Sequence, residues 1–140
     1  MRLTRTPDQQ REVVNGWMDE LIKDLGVRDH VVTFVGKQRS DREADVEQFV
    51  EDLAHKYPWS RVVVGDTSTI ETHAARSAAM CGLPCRVVPK AARDAWDSGP
   101  DIRDERIVSE STDIIAFDES SRVKRYEVLA KRMGRKVWFV

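Results

Sequence analysis

Short apolar segments alternate with amphipathic segments along most of this chain, and this alternation constrains the fold more than any other feature of the sequence. Residues 30–35 form a mainly apolar run rich in β-branched side chains, which is typical of a strand buried on both faces. Apolar residues from Val46 to Tyr57 then recur at helical spacing, which indicates an amphipathic helix capped by Ser40 and Glu43. Repeated strand–helix units predict a parallel sheet with helices on both faces. We therefore expect an α/β fold, a Rossmann-like three-layer sandwich.

The same unit recurs until the end of the chain, so the sequence predicts a five-stranded parallel sheet. Gly82 and Gly134 are placed to end two of the helices. Residues 89–100 contain Gly99 and two prolines and are predicted to form a loop. The remaining strands are expected at residues 61–65, 85–88, 113–117 and 137–140, and the remaining helices at residues 68–80, 101–110 and 121–133.

A further amphipathic helix is predicted before the first strand. Thr6, Pro7 and Gln9 suit the start of a helix, and Gly26 suits its end. We therefore divide the chain into an N-terminal amphipathic helix, residues 1–28, and a Rossmann-like domain, residues 29–140. The apolar stripe of this helix consists of Val13, Val14, Trp17, Met18, Leu21, Ile22 and Leu25.

Composition and charge argue against several classes of function. The formal net charge of −1 provides no general attraction to nucleic acid or to an anionic membrane. No apolar run approaches the roughly 20 residues that a membrane helix needs, and a secretory signal is lacking, so we expect a cytoplasmic protein. Cys81 and Cys85 are the only cysteines, and no second pair of ligands stands at zinc-finger spacing. We expect neither a metal nor a resident cofactor.

Three loops are the predicted location of a binding site, because ligands of open parallel sheets collect at the carboxyl ends of the strands. They are residues 36–41, 65–69 and 118–122, and each leads into the N-terminus of a helix, where a phosphate or carboxylate is stabilised. The second loop combines Gly65 with three hydroxyl side chains, which suits a phosphate or a sugar. Ser68 and Glu71 also form a capping box, which requires no ligand.

The chain resembles the SLOG superfamily of Rossmann-like domains, and within it the YspA-like branch, over residues 29–140. The segments that carry the resemblance are Gly36-Lys-Gln-Arg39, the stretch from Gly65 through Glu71 to Ala74, Gly99-Pro-Asp-Ile-Arg103-Asp104, and Ala116-Phe117 with its interval to Gly134. A glycine-rich phosphate loop of that branch is replaced here by residues 118–123. That replacement puts Asp118 and Glu119 where the family brings backbone amides close to a phosphate.

The resemblance implies a pocket for a nucleotide or a nucleotide-derived molecule. Some relatives, the LOG enzymes, hydrolyse the N-glycosidic bond of nucleoside monophosphates. Such hydrolysis needs a positioned carboxylate, and we take Glu71 and Glu119 as the candidate catalysts. The expected ligand-binding residues are Gly36, Arg39, Gly65, Ser68, Thr69, Arg103, Asp118, Ser120 and Ser121.

Three functions of different classes follow. The leading hypothesis is a module that binds a nucleotide-like small molecule without turning it over. The second is a nucleotide N-glycosidase, which resembles a phosphoribohydrolase. The third is a ligand-free interaction module that forms a homodimer or a higher homo-oligomer. Nucleic-acid binding is disfavoured, because aromatic residues are not interleaved with the basic ones. The small size and altered motifs would suit a protein encoded by a phage.

Overall fold

The computed structural model describes residues 30–89 and 100–140. Every strand and helix predicted within these residues is present, and most of their ends shift by no more than one residue. The predicted N-terminal helix and most of the predicted loop at 89–100 lie outside the described residues. The strands are β1 (Val31–Val35), β2 (Arg61–Val64), β3 (Cys85–Val87), β4 (Asp113–Ala116) and β5 (Lys136–Phe139), and the helices are α1 (Glu43–Lys56), α2 (Thr69–Met80), α3 (Pro100–Glu110) and α4 (Ser121–Met133).

The five strands form one parallel sheet, as predicted, and the structure places them in the order β3-β2-β1-β4-β5. The chain first moves from the central strand β1 outward to β2 and β3, and then returns to the other side of β1. Val35, the last residue of β1, pairs with Ala116, the last residue of β4. The direction of winding therefore reverses between β1 and β4, and the loops after these two strands leave the sheet side by side.

Each face of the sheet has its own hydrophobic core, because side chains alternate along β1. Phe34 points to the layer of α1 and α2, where it contacts Phe49 edge to face and stacks on Phe117. Val35 points to the opposite layer, where it joins Ile107 of α3 and Tyr126 of α4. Full burial of each large apolar side chain contributes about 1.5–3 kcal/mol, so the two cores hold the loops at the carboxyl edge in place.

The start of α1 differs from the prediction that Ser40 and Glu43 cap this helix. The N-cap residue is Arg42, and no side chain of the described residues caps this helix. The Ser40 hydroxyl accepts a hydrogen bond from the Arg42 amide at 3.2 Å, before the helix begins. The Arg42 guanidinium instead donates to the carbonyl oxygens of Phe117 and Val140, at 2.7 and 2.6 Å. The helix is therefore anchored to the ends of β4 and β5, and the predicted cap was wrong.

Two other helix ends agree with the sequence. Ser68 is the N-cap of α2 and forms the predicted capping box with Glu71. Gly134 ends α4 in the left-handed conformation with φ of 71°, which glycine adopts without strain. Within the part of the chain that the structure describes, no helix is both long and apolar enough to cross a membrane.

Candidate functional site

The loops after β1, β2 and β4 contact one another at the carboxyl edge of the sheet. The Thr69 amide donates to the Gln38 carbonyl at 3.1 Å, and the Ser40 amide donates to Thr69 Oγ1 at 2.9 Å. Arg122, the second residue of α4, donates to Thr67 Oγ1 at 2.7 Å. The three loops that the sequence singles out therefore form one continuous surface.

Asp118 bridges the point where the winding of the sheet reverses. Its Oδ2 accepts a hydrogen bond from the Lys37 amide at 2.7 Å, and its Oδ1 accepts one from the Ser120 amide at 2.9 Å. Backbone amides at this position are the donors that an anionic ligand uses in open α/β sheets. A methyl group on Gly36 would lie 3.0 Å from Asp118 Oδ2. An internal carboxylate thus occupies the space that Gly36 leaves beside the amides.

Glu71 is a second carboxylate that accepts a hydrogen bond from a backbone amide of these loops, and it lies at the N-terminus of α2. Its Oε1 accepts hydrogen bonds from the Ser68 amide at 3.1 Å, the Ser68 hydroxyl at 2.8 Å and the Arg122 guanidinium at 3.0 Å. The residue is only 1% exposed, and a methyl group on Gly65 would overlap its Oε2. Glu71 therefore serves as a buried capping carboxylate, and its predicted catalytic role stays a prediction.

A buried polar cluster lies behind the loop after β2. The guanidinium of Arg103 donates to Asp66 and to Thr67 Oγ1, both at 3.2 Å, and lies 3.6 Å from Asp104. Asp104 also accepts a hydrogen bond from the Tyr126 hydroxyl at 3.0 Å and one from Arg125 at 3.3 Å. The side chains of Arg103 and Asp104 are each 2% exposed. The cluster therefore connects α3 and α4 to each other and to the loop after β2.

Tyr126 gives this cluster a measurable dependence on pH. Burial raises the pKa of Tyr126 well above its ordinary value of 10.0, and the negative charges of Asp104 and Glu71 raise this pKa further. The positive charge of Arg122 lowers the pKa and so opposes part of this increase. Above about pH 10 the unfolded chain loses this proton while the folded chain keeps it, so the free energy of unfolding falls as pH rises from 10 toward the pKa of the folded state. Urea denaturation at several pH values is expected to show a shallower decline for Tyr126→Phe than for the wild type. Equal slopes would contradict the assignment.

A groove of about 300 Å³ lies between the loops after β1 and β2. Arg39 stands exposed at its rim and forms no ion pair or hydrogen bond with any residue in 30–89 or 100–140. His73 lines the other end, with its ring nitrogens 3.7 Å from Glu43 and 3.4 Å from Glu47. The lining residues are Gln38, Arg39, Asp66, Thr67, Ser68, Thr69, Thr72 and His73.

The predicted site residues divide into three groups in the structure. Arg39, Ser68 and Thr69 line the groove. A second group takes part in the internal contacts described above and consists of Gly36, Gly65, Glu71, Arg103 and Asp118. The third group lies at the start of α4 and consists of Glu119, Ser120 and Ser121, of which Glu119 and Ser121 are exposed. Among the described residues, no three His, Cys, Asp or Glu side chains are grouped to hold a metal ion.

Several residues of the site have no individual role in the sequence-based prediction. Thr67 is one of the three hydroxyls of the predicted loop 65–69 and Arg122 ends the predicted loop 118–122, but neither they nor Asp66 are among the predicted ligand-binding residues. Tyr126 lies on the apolar stripe of α4, so its sequence position indicates an ordinary core residue. No local pattern separates the buried Arg103 and Asp104 from Glu105 and Arg106, which follow them on α3 and are exposed.

Comparison with known proteins identifies the type of fold. No protein-family model and no curated protein matches this chain in sequence. Among solved structures, apo histidine-tagged saccharopine dehydrogenase (L-Glu forming) from Saccharomyces cerevisiae is similar, with a TM-score of 0.51 and 14% sequence identity. The fold is Rossmann-like. The match covers 79% of this chain and 21% of the dehydrogenase chain, so this chain corresponds to about a fifth of that protein. At this identity the similarity concerns the Rossmann-like fold alone.

Proposed function

We propose that this domain binds an anionic, nucleotide-derived small molecule in the groove between the loops after β1 and β2, without turning it over. The observation that carries the proposal is the position of Arg39, whose exposed guanidinium stands at the rim of this groove without an ionic partner among the described residues. A guanidinium binds phosphate through paired, charge-assisted hydrogen bonds. The groove also lies at the carboxyl edge of the sheet, where Rossmann-like domains hold their ligands.

The remaining lining groups suit a sugar. Thr69 and Thr72 supply hydroxyls, and the carboxylate of Asp66, which is 40% exposed, can accept hydrogen bonds from ribose hydroxyls. The resemblance of residues 29–140 to the SLOG superfamily favours a nucleotide derivative over other anions. In this proposal the phosphate contacts side chains rather than the amides at the start of α2, because Ser68 and Glu71 already satisfy each other there.

Binding without hydrolysis is favoured by the state of the carboxylates. Glu71 is buried and accepts hydrogen bonds from an amide, a hydroxyl and a guanidinium. Asp118 accepts hydrogen bonds from two backbone amides. A catalytic carboxylate must reach a water molecule or the sugar ring with a free oxygen. Glu119 is exposed and does not line the groove. Asp66 lines the groove, but its carboxylate is paired with the Arg103 guanidinium at 3.2 Å. The N-glycosidase therefore ranks second.

Arg39→Ala tests the proposal by isothermal titration calorimetry with a panel of mono-, di- and cyclic nucleotides and NAD-derived compounds. Loss of one charge-assisted contact of about 1.5–3 kcal/mol is expected to weaken binding about 10- to 100-fold. Arg76→Ala is the matched control, because Arg76 is an exposed arginine on α2 that does not line the groove. Chromatography of the recovered ligand is expected to show it intact.

Two results would overturn the proposal. The first is the absence of heat with every compound at millimolar concentration. The second is equal affinity of the wild type and Arg39→Ala for a ligand that binds. Release of a free base would instead establish the N-glycosidase.

A further inference from the structure

The two outer layers of this domain carry opposite charge. We infer that copies of the chain associate head to tail, with the acidic face of α1 in one copy against the basic face of α4 in the next. The acidic face is defined here by Glu47 and Glu51, and the basic face by Lys124, Val128 and Lys131. This inference is independent of the proposed ligand.

The acidic face has few internal partners for its charge. α1 contains five carboxylates against one lysine. Glu47 and Glu51 are exposed and lie one helical turn apart, so they project from the same side of α1. Glu47 Oε1 lies 3.4 Å from a ring nitrogen of His73, which is charged only when protonated. The face therefore presents net negative charge to solvent at neutral pH.

The basic face has the complementary composition. α4 contains five arginines and lysines against one glutamate. Arg125 and Arg132 are paired with Asp104 and Glu105 of the neighbouring helix α3. Lys124 and Lys131 are exposed and form no ion pair with any residue in the two described segments. Two ammonium groups thus lie on one stripe of α4, separated by Val128.

The geometry of the sandwich decides how these faces can meet. α1 covers the sheet face to which Phe34 points, and α4 covers the face to which Val35 points. The two charged faces therefore lie on opposite sides of the domain. A two-fold symmetric contact through either face would bring like charges together, whereas a heterologous contact pairs opposite charges. Heterologous contacts that do not close produce open chains of subunits.

An exposed apolar side chain also lies in each of the two helical layers. Val128 is 66% exposed and borders a groove of about 380 Å³ with Lys131, Arg135 and Val137. Met80, at the end of α2, is 82% exposed. α2 covers the same face of the sheet as α1, since both helices pack into one core, so Met80 belongs to the layer that contains the acidic face. These apolar side chains increase the apolar surface available to the contact between subunits, and the opposite charges of the two faces set its orientation.

Light scattering coupled to size-exclusion chromatography tests the inference on the full chain. At about 50 mM salt the average mass of the wild type is expected to rise steadily with protein concentration, and at about 500 mM salt it is expected to fall to the monomer mass, because salt screens exposed charges. Glu47→Lys/Glu51→Lys and Lys124→Glu/Lys131→Glu are each expected to be monomeric at low salt. Circular dichroism spectra of the variants, compared with that of the wild type, test whether they are folded.

The decisive step is to mix the two charge-reversed variants. One has two basic faces and the other has two acidic faces, so an equimolar mixture is expected to associate at low salt although neither variant does so alone. A mixture that stays monomeric would overturn the inference. So would a wild type that is monomeric at all concentrations, or a dimer of constant mass that both charge reversals leave intact.

Discussion

Replacing Arg103 with methionine is expected to lower the free energy of unfolding by about 3–5 kcal/mol, since one partner of a buried ion pair is removed while the other stays buried. Methionine keeps most of the apolar stem, so the loss reports on the charge. Asp104 would retain Tyr126 and Arg125, but the half-exposed Arg125 is a poor substitute for a guanidinium that is 2% exposed. Urea denaturation followed by circular dichroism measures the change.

Arg132→Met is the matched control for this substitution. Arg132 and Glu105 also pair α4 with α3, at 2.9 Å, but their side chains are 59% and 49% exposed. Loss of an exposed pair typically costs less than about 1 kcal/mol. If Arg103→Met and Arg132→Met cost the same, the buried cluster does not stabilise the junction between the two helices and the loop after β2.

Gly65→Ala is expected to cost about 3 kcal/mol, because the new methyl group would overlap Glu71 Oε2 and displace a buried carboxylate from its donors. The guanidinium carbon of Arg103 lies 3.4 Å from the same point, so the methyl group cannot turn away from the clash. Denaturant titration of the variant measures the loss.

A double-mutant cycle with Glu71→Ala separates this clash from any general cost of the substitution. Glu71→Ala is itself expected to destabilise, because Arg122 and Ser68 lose their acceptor. In that background the added methyl group has room, so Gly65→Ala is expected to cost much less than in the wild type, with a coupling of about 2 kcal/mol. Simple additivity of the two substitutions would mean that Gly65 is not required by the packing of Glu71.

The arrangement of strands and helices could be predicted because each element has a local signal. Strands buried on both faces are almost wholly apolar, as in Val62 to Val64, and the helices show apolar residues at three- and four-residue intervals. The start of α1 at Arg42 could not be predicted. It depends on contacts of Arg42 with carbonyls 75 and 98 residues away in the chain, which no local pattern encodes.

The convergence of the three loops at the carboxyl edge of the sheet could be predicted, but the contacts of their individual residues could not. Asp118 and Glu119 are adjacent carboxylates, yet Asp118 accepts a hydrogen bond from a backbone amide 81 residues away while Glu119 is exposed to solvent. Likewise Arg103 is buried, whereas Arg106, three residues later on the same helix, is exposed. Such differences arise from the direction of each side chain in the assembled layers, which depends on strand order and helix rotation.

The bridge from Asp118 to the Lys37 and Ser120 amides also bears on the thermodynamics of recognition. Phosphate-binding loops that are empty must be ordered by their ligand, and that ordering subtracts from affinity. Here Asp118 joins the loop after β1 to the loop after β4, and Thr69 joins the loop after β1 to the loop after β2, so both walls of the groove are connected within the protein itself. A molecule entering the neighbouring groove would meet preorganised walls, so the conformational entropy lost by the backbone on binding would be small. Free and bound forms are expected to differ chiefly in the rotamers of Arg39 and the other side chains at the rim.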